Sequence, residues 1–427
     1  MAVSLIRNSR VFVTYNVNSV TGLINSGSGF TATNTFEVQV LDGFSFTQST
    51  TAETVVLSEA GPTPSRGQRS FNTQLAPVEW SFSTYARPQS TLGLANLENS
   101  TSYTGSAGTA RAEEEYLWAL FASKDGYIGS SAKGWFTNFD LAYAPGFTGS
   151  NAQSVVTFND SNAHQLGKFG LIIHMEGTVY LIDNCAIESA TIDFGIDQIT
   201  TIAWSGRGTT VRQIAGGSAW TLTAAAGNTV TFGGGSYTGA AYAKDTTAKY
   251  IANKLSTSYV GSGINNDITL NGYIGSNVYT VALTGGNITF ANNLTYLTPS
   301  NLGVMNVPIT YFTGARAITG TLNAYLKTGN KLTGDLFDSI LNNATTAADN
   351  KYSLAIQLGG ATNTNRVDIV VGGAMMQIPT VNAEQVISTT INFTAQGYVG
   401  TATANTGTYD IEQSNEAQVR YVAGPTT

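Results

Sequence analysis

The chain lacks most of the side chains that carry out covalent or metal chemistry. Its 427 residues include one cysteine, Cys185, and two histidines, His164 and His174. A disulfide framework, a thiolate zinc site and a multi-histidine metal site are therefore excluded. Charge is scarce as well. There are 20 Lys+Arg against 27 Asp+Glu, 11% of residues, for a net charge of -7. That balance argues against a protein that grips nucleic acid, which needs basic stripes to neutralise phosphates. No stretch reaches the roughly 18 consecutive apolar residues of a membrane span. The opening Met1–Val13 has no basic region followed by a long apolar run, so no signal peptide is expected. These absences lead to the expectation of a soluble product that stays where thiols are reduced, or is exported without a cleaved signal.

What is present is 42% hydrophobic and 10% aromatic residues, enough to argue against intrinsic disorder. A chain of this length is expected to divide into two or three domains. Thr, Val, Ser, Asn, Gly and Tyr dominate, a mix that favours strands and turns. Phe36, Val38 and Val40 alternate with polar residues, and so do Val78, Trp80 and Phe82. This is the period-2 pattern of half-buried antiparallel strands. A helical pattern appears in two places. One runs from Arg111 to Lys124, with the apolar stripe Tyr116, Leu117, Leu120 and Phe121 and a first turn in which Glu113, Glu114 and Glu115 are expected to be solvated. The other starts near Thr333 and has Leu336, Phe337, Ile340 and Leu341 at the same spacing.

That shared spacing points to an internal duplication. Asn8 matches Asn253. Phe44 and Phe46 match Ile288 and Phe290. Val78, Phe82 and Tyr85 match Ile318, Leu322 and Tyr325. Cys185–Asp193 matches Ala374–Asn382, and Thr200–Trp204 matches Thr389–Phe393. The order is collinear, and the spacing changes only between elements, where loops tolerate insertions. The expected organisation is a first unit over 1–205, a Gly/Ala-rich linker or insertion over 206–244, a second unit over 245–400, and a surface-draped tail over 401–427.

Catalytic motifs are missing. There is no phosphate loop of the Gly-x-x-x-x-Gly-Lys-Ser/Thr type and no Gly-x-Ser-x-Gly elbow. His164 lies in a polar loop and His174 in an apolar strand, where a hydrogen-bonded structural histidine is the expected role. Cys185 reads as a small buried hydrophobe. Asp193 and Asp197 could form an acid–base pair, but their matches, Asn382 and Val386, repeat no such pair. The sequons at Asn99, Asn293, Asn343 and Asn392 are expected by chance in a chain this rich in Asn and Thr. No catalytic residue, metal site or cofactor is expected.

The most informative loop follows the early strands and contains Leu57–Asn72. Roughly two dozen residues separate its flanking strands, a length usually reserved for functional or disordered segments. It carries two prolines and charges of both signs. Glu59, Arg66, Arg69 and Phe71 are the residues expected to dock it on a neighbouring subunit.

Several ungapped runs closely resemble the tail tube protein of T5-like siphophages. They are Leu5–Val13, Glu59–Gly67, Glu79–Tyr85, Ile202–Gly206, Thr284–Gly286, Asn293–Pro299 and Leu322–Leu326. The resemblance covers residues 5 to about 400. It implies a mainly β fold of two tandem tail-tube-type β-sandwich domains, each with one flanking helix and a long inter-strand loop. It further implies trimeric, pseudo-hexameric rings that stack into the hollow tube of a long non-contractile tail. The implied partners are other copies of the chain, a tape measure protein in the lumen, tail terminator and tail-tip or baseplate proteins, and double-stranded DNA in transit without specific binding. The implied location is the virion tail, assembled in the host cytoplasm. A related ring component, a tube terminator or baseplate ring, is the alternative. Some relatives carry an immunoglobulin-like decoration domain after the second unit. The chain stops at Thr427, so a smooth tube, or one decorated only by 206–244, is expected.

Overall fold

The structure, a computed structural model, describes residues 9–56, 61–62, 67–90, 110–122, 139–140, 153–159, 166–214, 220–243, 251, 257–262, 278–346, 351–359, 366–396 and 415–422, apart from 33, 42, 113, 176, 226–228, 235, 303 and 383–385. The chain is mostly strand, and the mainly β expectation is borne out. In order come β1 (Ser9–Thr14), β2 (Gly27–Phe30), β3 (Thr35–Val38), β4 (Ser45–Thr47), β5 (Thr50–Val56), β6 (Gln68–Leu75), β7 (Val78–Tyr85), β8 (Pro88–Ser90), β9 (Ala110–Ala112) and helix α1 (Glu115–Phe121). Then follow β10 (Phe139–Asp140), β11 (Gln153–Asn159), β12 (Phe169–Met175), β13 (Thr178–Gly195), β14 (Thr201–Gly208), β15 (Thr210–Gln213), β16 (Thr221–Ala225), β17 (Thr229–Gly234), β18 (Tyr237–Tyr242) and β19 (Thr257–Ser262). The chain continues with β20 (Val278–Thr280), β21 (Leu283–Ala291), β22 (Leu294–Leu297), β23 (Thr310–Thr313), β24 (Ala317–Tyr325) and helix α2 (Thr333–Thr346). Last are β25 (Lys351–Leu358), β26 (Arg366–Met376), β27 (Thr380–Asn382), β28 (Ser388–Ala395) and β29 (Asn415–Val422).

One antiparallel sheet runs through the whole molecule in the order β4–β7–β14–β13–β21–β24–β28–β27. Its strands obey the period-2 pattern. Val78, Trp80 and Phe82 of β7, Ile202 and Trp204 of β14, and Ile318 and Leu322 of β24 are buried on one face. Each such side chain contributes about 1.5–3 kcal/mol on burial. Small residues sit where large ones cross. A Cβ on Gly206 would strike Trp80, and one on Gly320 would strike Phe393.

The other face is a ladder of small hydroxyls and amides. Ser45 faces Ser81 at 2.9 Å, Ser189 faces Ser205 at 2.7 Å, and Thr191 faces Thr289 at 3.0 Å. Thr321 donates to Asn392 Oδ1 at 3.0 Å. These cross-strand contacts hold the register on a face that has no apolar core to fix it.

Strand β13 is long because it serves two sheets. Its first part pairs with β12 and β15, and its second part with β14 and β21. β26 behaves similarly. It pairs with β25 from Val367 to Met375, its start pairs with β29 on the other side, and its last three residues pair with β28. Two further sheets therefore lie against the central one. The first is ordered β3–β1–β12–β13–β15 and the second β20–β19–β25–β26–β29–β11–β10. The tail was expected to drape over the surface. Instead β29 is an interior strand of the second of these sheets, between β26 and β11.

Helix α1 lies where the two parts of the chain meet. Trp118 packs at 4.8 Å from Trp204, 5.3 Å from Phe290 and 5.9 Å from Phe158, measured between ring centroids. Asn292 Nδ2 donates to Phe121 O and Ile187 O, both at 3.1 Å, tying the helix end to the central sheet. The expected stripe is confirmed at Leu117, Leu120 and Phe121, which are buried. Glu114 departs from expectation. It is buried rather than solvated, and its Oε1 accepts the Arg87 N–H at 3.3 Å. Burial of an acid needs such a donor. In α2, Leu336 and Ile340 are buried while Leu341 is exposed.

The Gly/Ala-rich stretch contains an antiparallel meander, β16–β17–β18, whose last strand runs parallel to β2 and β3. It covers the outward face of the first flanking sheet with a core of its own. Trp220, Val230 and Phe232 pack there against Phe12, Ile172 and Leu181. β1 and β12 are thus buried on both faces.

Candidate assembly interface

The central sheet ends in two short strands with one neighbour each. Among the described residues β4 pairs only with β7, and β27 only with β28. All three residues of β27 are exposed. Unpaired N–H and C=O groups at a sheet edge are a template for another strand.

The second feature is an arm. β5 and β6 form an isolated antiparallel hairpin, with Val55 opposite Arg69 and Glu53 opposite Phe71. Within the segment expected to be a loop, Gln68–Asn72 belong to β6, while 57–60 and 63–66 lie outside the described residues. β5 is exposed along its whole length, and Phe71 is 53% exposed. A two-stranded hairpin is marginal in water without a surface to pack on. Of the four docking residues expected, Arg69 and Phe71 lie on β6, while Glu59 and Arg66 lie outside the described residues.

The base of the arm is held by the second part of the chain. Leu75 N–H donates to Asn306 O at 2.8 Å, and Asn306 N–H to Thr73 O at 3.2 Å. Asn306 belongs to the loop of a second hairpin, β22–β23. That hairpin is anchored to the first part by two tyrosines. Tyr296 Oη lies 2.9 Å from both Asn184 O and Arg207 O, and Tyr311 Oη donates to Leu166 O at 2.8 Å. Burial raises the pKa of both phenols, so they stay neutral donors. Leu302, Val304, Met305, Ile309 and Phe312 are exposed around this loop and strand. With Val55, Val56 and Phe71 on the arm they leave much apolar surface uncovered, which marks an interaction site. Sequence reading missed this second set because Leu302–Phe312 is a largely apolar run, and such a run by itself reads as core rather than as surface.

The remaining candidates have structural surroundings. His174 lies on β12 opposite Arg10 of β1 and Val179 of β13, so it is interior to its sheet. Its pKa is lowered by burial and then by the Arg10 charge. Cys185 is buried, its thiol pKa raised by burial and by nearby Asp183. Asp193 faces Thr201 and Asn287 across the central sheet, and Asp197 lies in the turn that follows. His164 lies outside the described residues. Among the described residues no group of three His, Cys, Asp or Glu could hold a metal ion. No helix among them is long and apolar enough to cross a membrane.

Sheet edges open among the described residues, an exposed arm and uncovered apolar side chains are the marks of a β-sheet subunit built to be completed by other protein surfaces. No protein-family model matches the chain. Comparison with curated proteins gives a relative of this class. The chain is 28% identical over 423 residues to Tail tube protein pb6 of Escherichia phage T5, a match covering 96% of this chain and 78% of the relative. The resemblance to T5-like tail tube proteins is thereby borne out.

Proposed function

We propose that the chain is a structural virion protein that self-assembles into the hollow tail tube of a siphophage. The observation that carries this reading is the central sheet, apolar on one face, hydroxyl-rich on the other and open at both edges. Ring closure pairs such edges, and a heterologous contact that closes gives a ring rather than an open chain. We read the chain as two fused units of one design. Support comes from β13 and β26, each passing from a flanking sheet into the central one. Three copies then make a pseudo-hexameric ring with the hydroxyl face toward the bore. The arm and the β22–β23 loop cover their apolar residues against the next ring.

On this reading DNA passes, without being held, along a wall of Ser, Thr and Asn that also carries Glu79, Arg207 and Asp193, on its way out of the tail. A tape measure protein fills the bore beforehand, and terminator and tail-tip or baseplate proteins close the two ends. The chain acts as a wall, not as an enzyme, and it assembles in the host cytoplasm. Negative-stain electron microscopy of the purified protein at rising concentration tests this. Hollow tubes with a regular ring repeat and threefold end views are expected. Single closed rings that never stack would instead identify a terminator or baseplate component.

A further inference from the structure

The arm has a counterpart in its own chain. On the two-unit reading β4 and β7 correspond to β21 and β24, so the hairpins β5–β6 and β22–β23 are inserted at the same point of the two units. Counting back from the matched strands β7 and β24 puts Phe71 at the position of Tyr311. The two hairpins differ in what they carry there. Phe71 is exposed and pairs with Glu53, on a strand with no aromatic residue. Tyr311 pairs with Tyr296, their rings 5.4 Å apart, and Leu294 and Tyr296 are buried.

The second hairpin is folded down on the first unit, onto a seat made by an irregularity in β13. Asn184 lies where the register of β12 against β13 shifts, between Leu171–Ile182 and Phe169–Cys185, and its φ of 47° is left-handed. A residue at such a shift drops out of the ladder. Its carbonyl accepts from Tyr296 Oη at 2.9 Å instead, and the single phenol proton is shared with Arg207 O, also at 2.9 Å. Asn184 Nδ2 donates to Ile309 O at 3.4 Å. Tyr311 Oη donates to Leu166 O at 2.8 Å, beside the small apolar cluster of Leu166, Ala186 and Leu294. A buried carbonyl that loses its donor carries a desolvation penalty, so the two hydroxyls specify the seat. From there the hairpin's loop reaches the arm. Asn306 pairs with Gln74 in a parallel bridge, and its backbone bonds to Leu75 and Thr73. Its Oδ1 accepts the Asn301 N–H at 2.8 Å, which ties the loop to itself.

We propose that β22–β23 is a folded-back counterpart of the arm that acts as its brace, with Tyr296 and Tyr311 as the positioning residues that fix the direction in which the arm leaves the subunit. The arm is then set before any partner is met and does not take its direction from docking. A two-stranded hairpin alone gains little order in water, and an element ordered in advance loses less entropy when it binds. Each chain thus carries two hairpins of one origin, one bound to its own first unit and one left free for a partner. The inference rests on the two-unit and tube readings and names the residues that ready the subunit for assembly.

Hydrogen exchange and assembly test it together. Tyr296→Phe with Tyr311→Phe in the full chain removes both hydroxyls and keeps both rings. In the unassembled protein the amides of Leu75 and Asn306 are expected to exchange about tenfold faster, with those of Trp80 and Ile318 in the central sheet unchanged. The concentration needed to form tubes should rise severalfold. Unchanged exchange at Leu75 and Asn306 would overturn the brace, and faster exchange with parental assembly would overturn the positioning role. Should that variant not fold, Gln74→Cys with Asn306→Cys decides. Oxidation ties the arm to the loop, and native Cys185 is buried and does not compete. The oxidised form is expected to assemble as readily as its reduced form. Assembly by the reduced form alone would mean that the arm must leave the brace, which overturns the proposal. Absence of tubes from the unmodified protein would overturn the tube reading itself, and the exchange comparison would still decide the brace.

Discussion

Arg212 grips Asp183 with two hydrogen bonds, Nε to Oδ2 at 2.5 Å and Nη2 to Oδ1 at 2.8 Å. Asp183 is fully buried, and its Oδ1 also accepts the Ile24 N–H at 2.8 Å. The carboxylate raises the pKa of the guanidinium further, so the arginine stays charged at any ordinary pH. Arg212→Met is expected to lower unfolding free energy by about 3 kcal/mol. That is the low end for breaking a buried pair, because solvent partly screens Arg212. Urea denaturation of the two proteins measures it. A loss below about 1 kcal/mol would mean that Ile24 and Thr210 satisfy the acid without the arginine.

His174 makes stability pH-dependent. Its folded pKa lies below the ordinary 6.5. The unfolded chain therefore takes up the proton first, and the stabilisation is present above about pH 6.5 and lost as pH falls toward the folded value. The cation beside it is Arg10, which Glu37 of β3 binds through both carboxylate oxygens. Replacement His174→Gln should flatten the stability profile between pH 7 and pH 5 relative to the parent. Parallel profiles from denaturant melts would show that the histidine does not contribute.

The arm is expected to matter between molecules and not within one. Arg69→Glu or Phe71→Ala should each leave the unfolding free energy of the single chain within about 0.5 kcal/mol, as for other exposed positions. The same variants should shorten tubes or raise the concentration needed to form them. Tubes of parental length and stability from both variants would remove the arm from ring stacking.

The parts of this fold legible in the sequence are those set by local pattern. β7 alternates cleanly because one of its faces meets the core and the other meets solvent. The α1 stripe is legible because Leu117, Leu120 and Phe121 repeat at helical spacing. What stayed hidden depends on distant partners. Glu114 is buried where the Arg87 N–H, distant in sequence, comes to meet it. β29 looks like a polar tail until β11 and β26 flank it. The meander has too many Gly, Ala and Thr residues for an alternating pattern to stand out, and its burial comes from Phe12 and Ile172 behind β1 and β12. The exposed surface was half legible. Arg69 and Phe71 were singled out and lie on the arm, but the loop around Asn306 was not, since its link to Leu75 joins residues far apart in sequence.

The meander packs on the outward side of its flanking sheet, through a cluster separate from the main core. In the proposed tube, a display tag or enzyme grafted onto the meander would leave the strands of the central sheet untouched, so inside diameter and outer coat would become separate engineering variables.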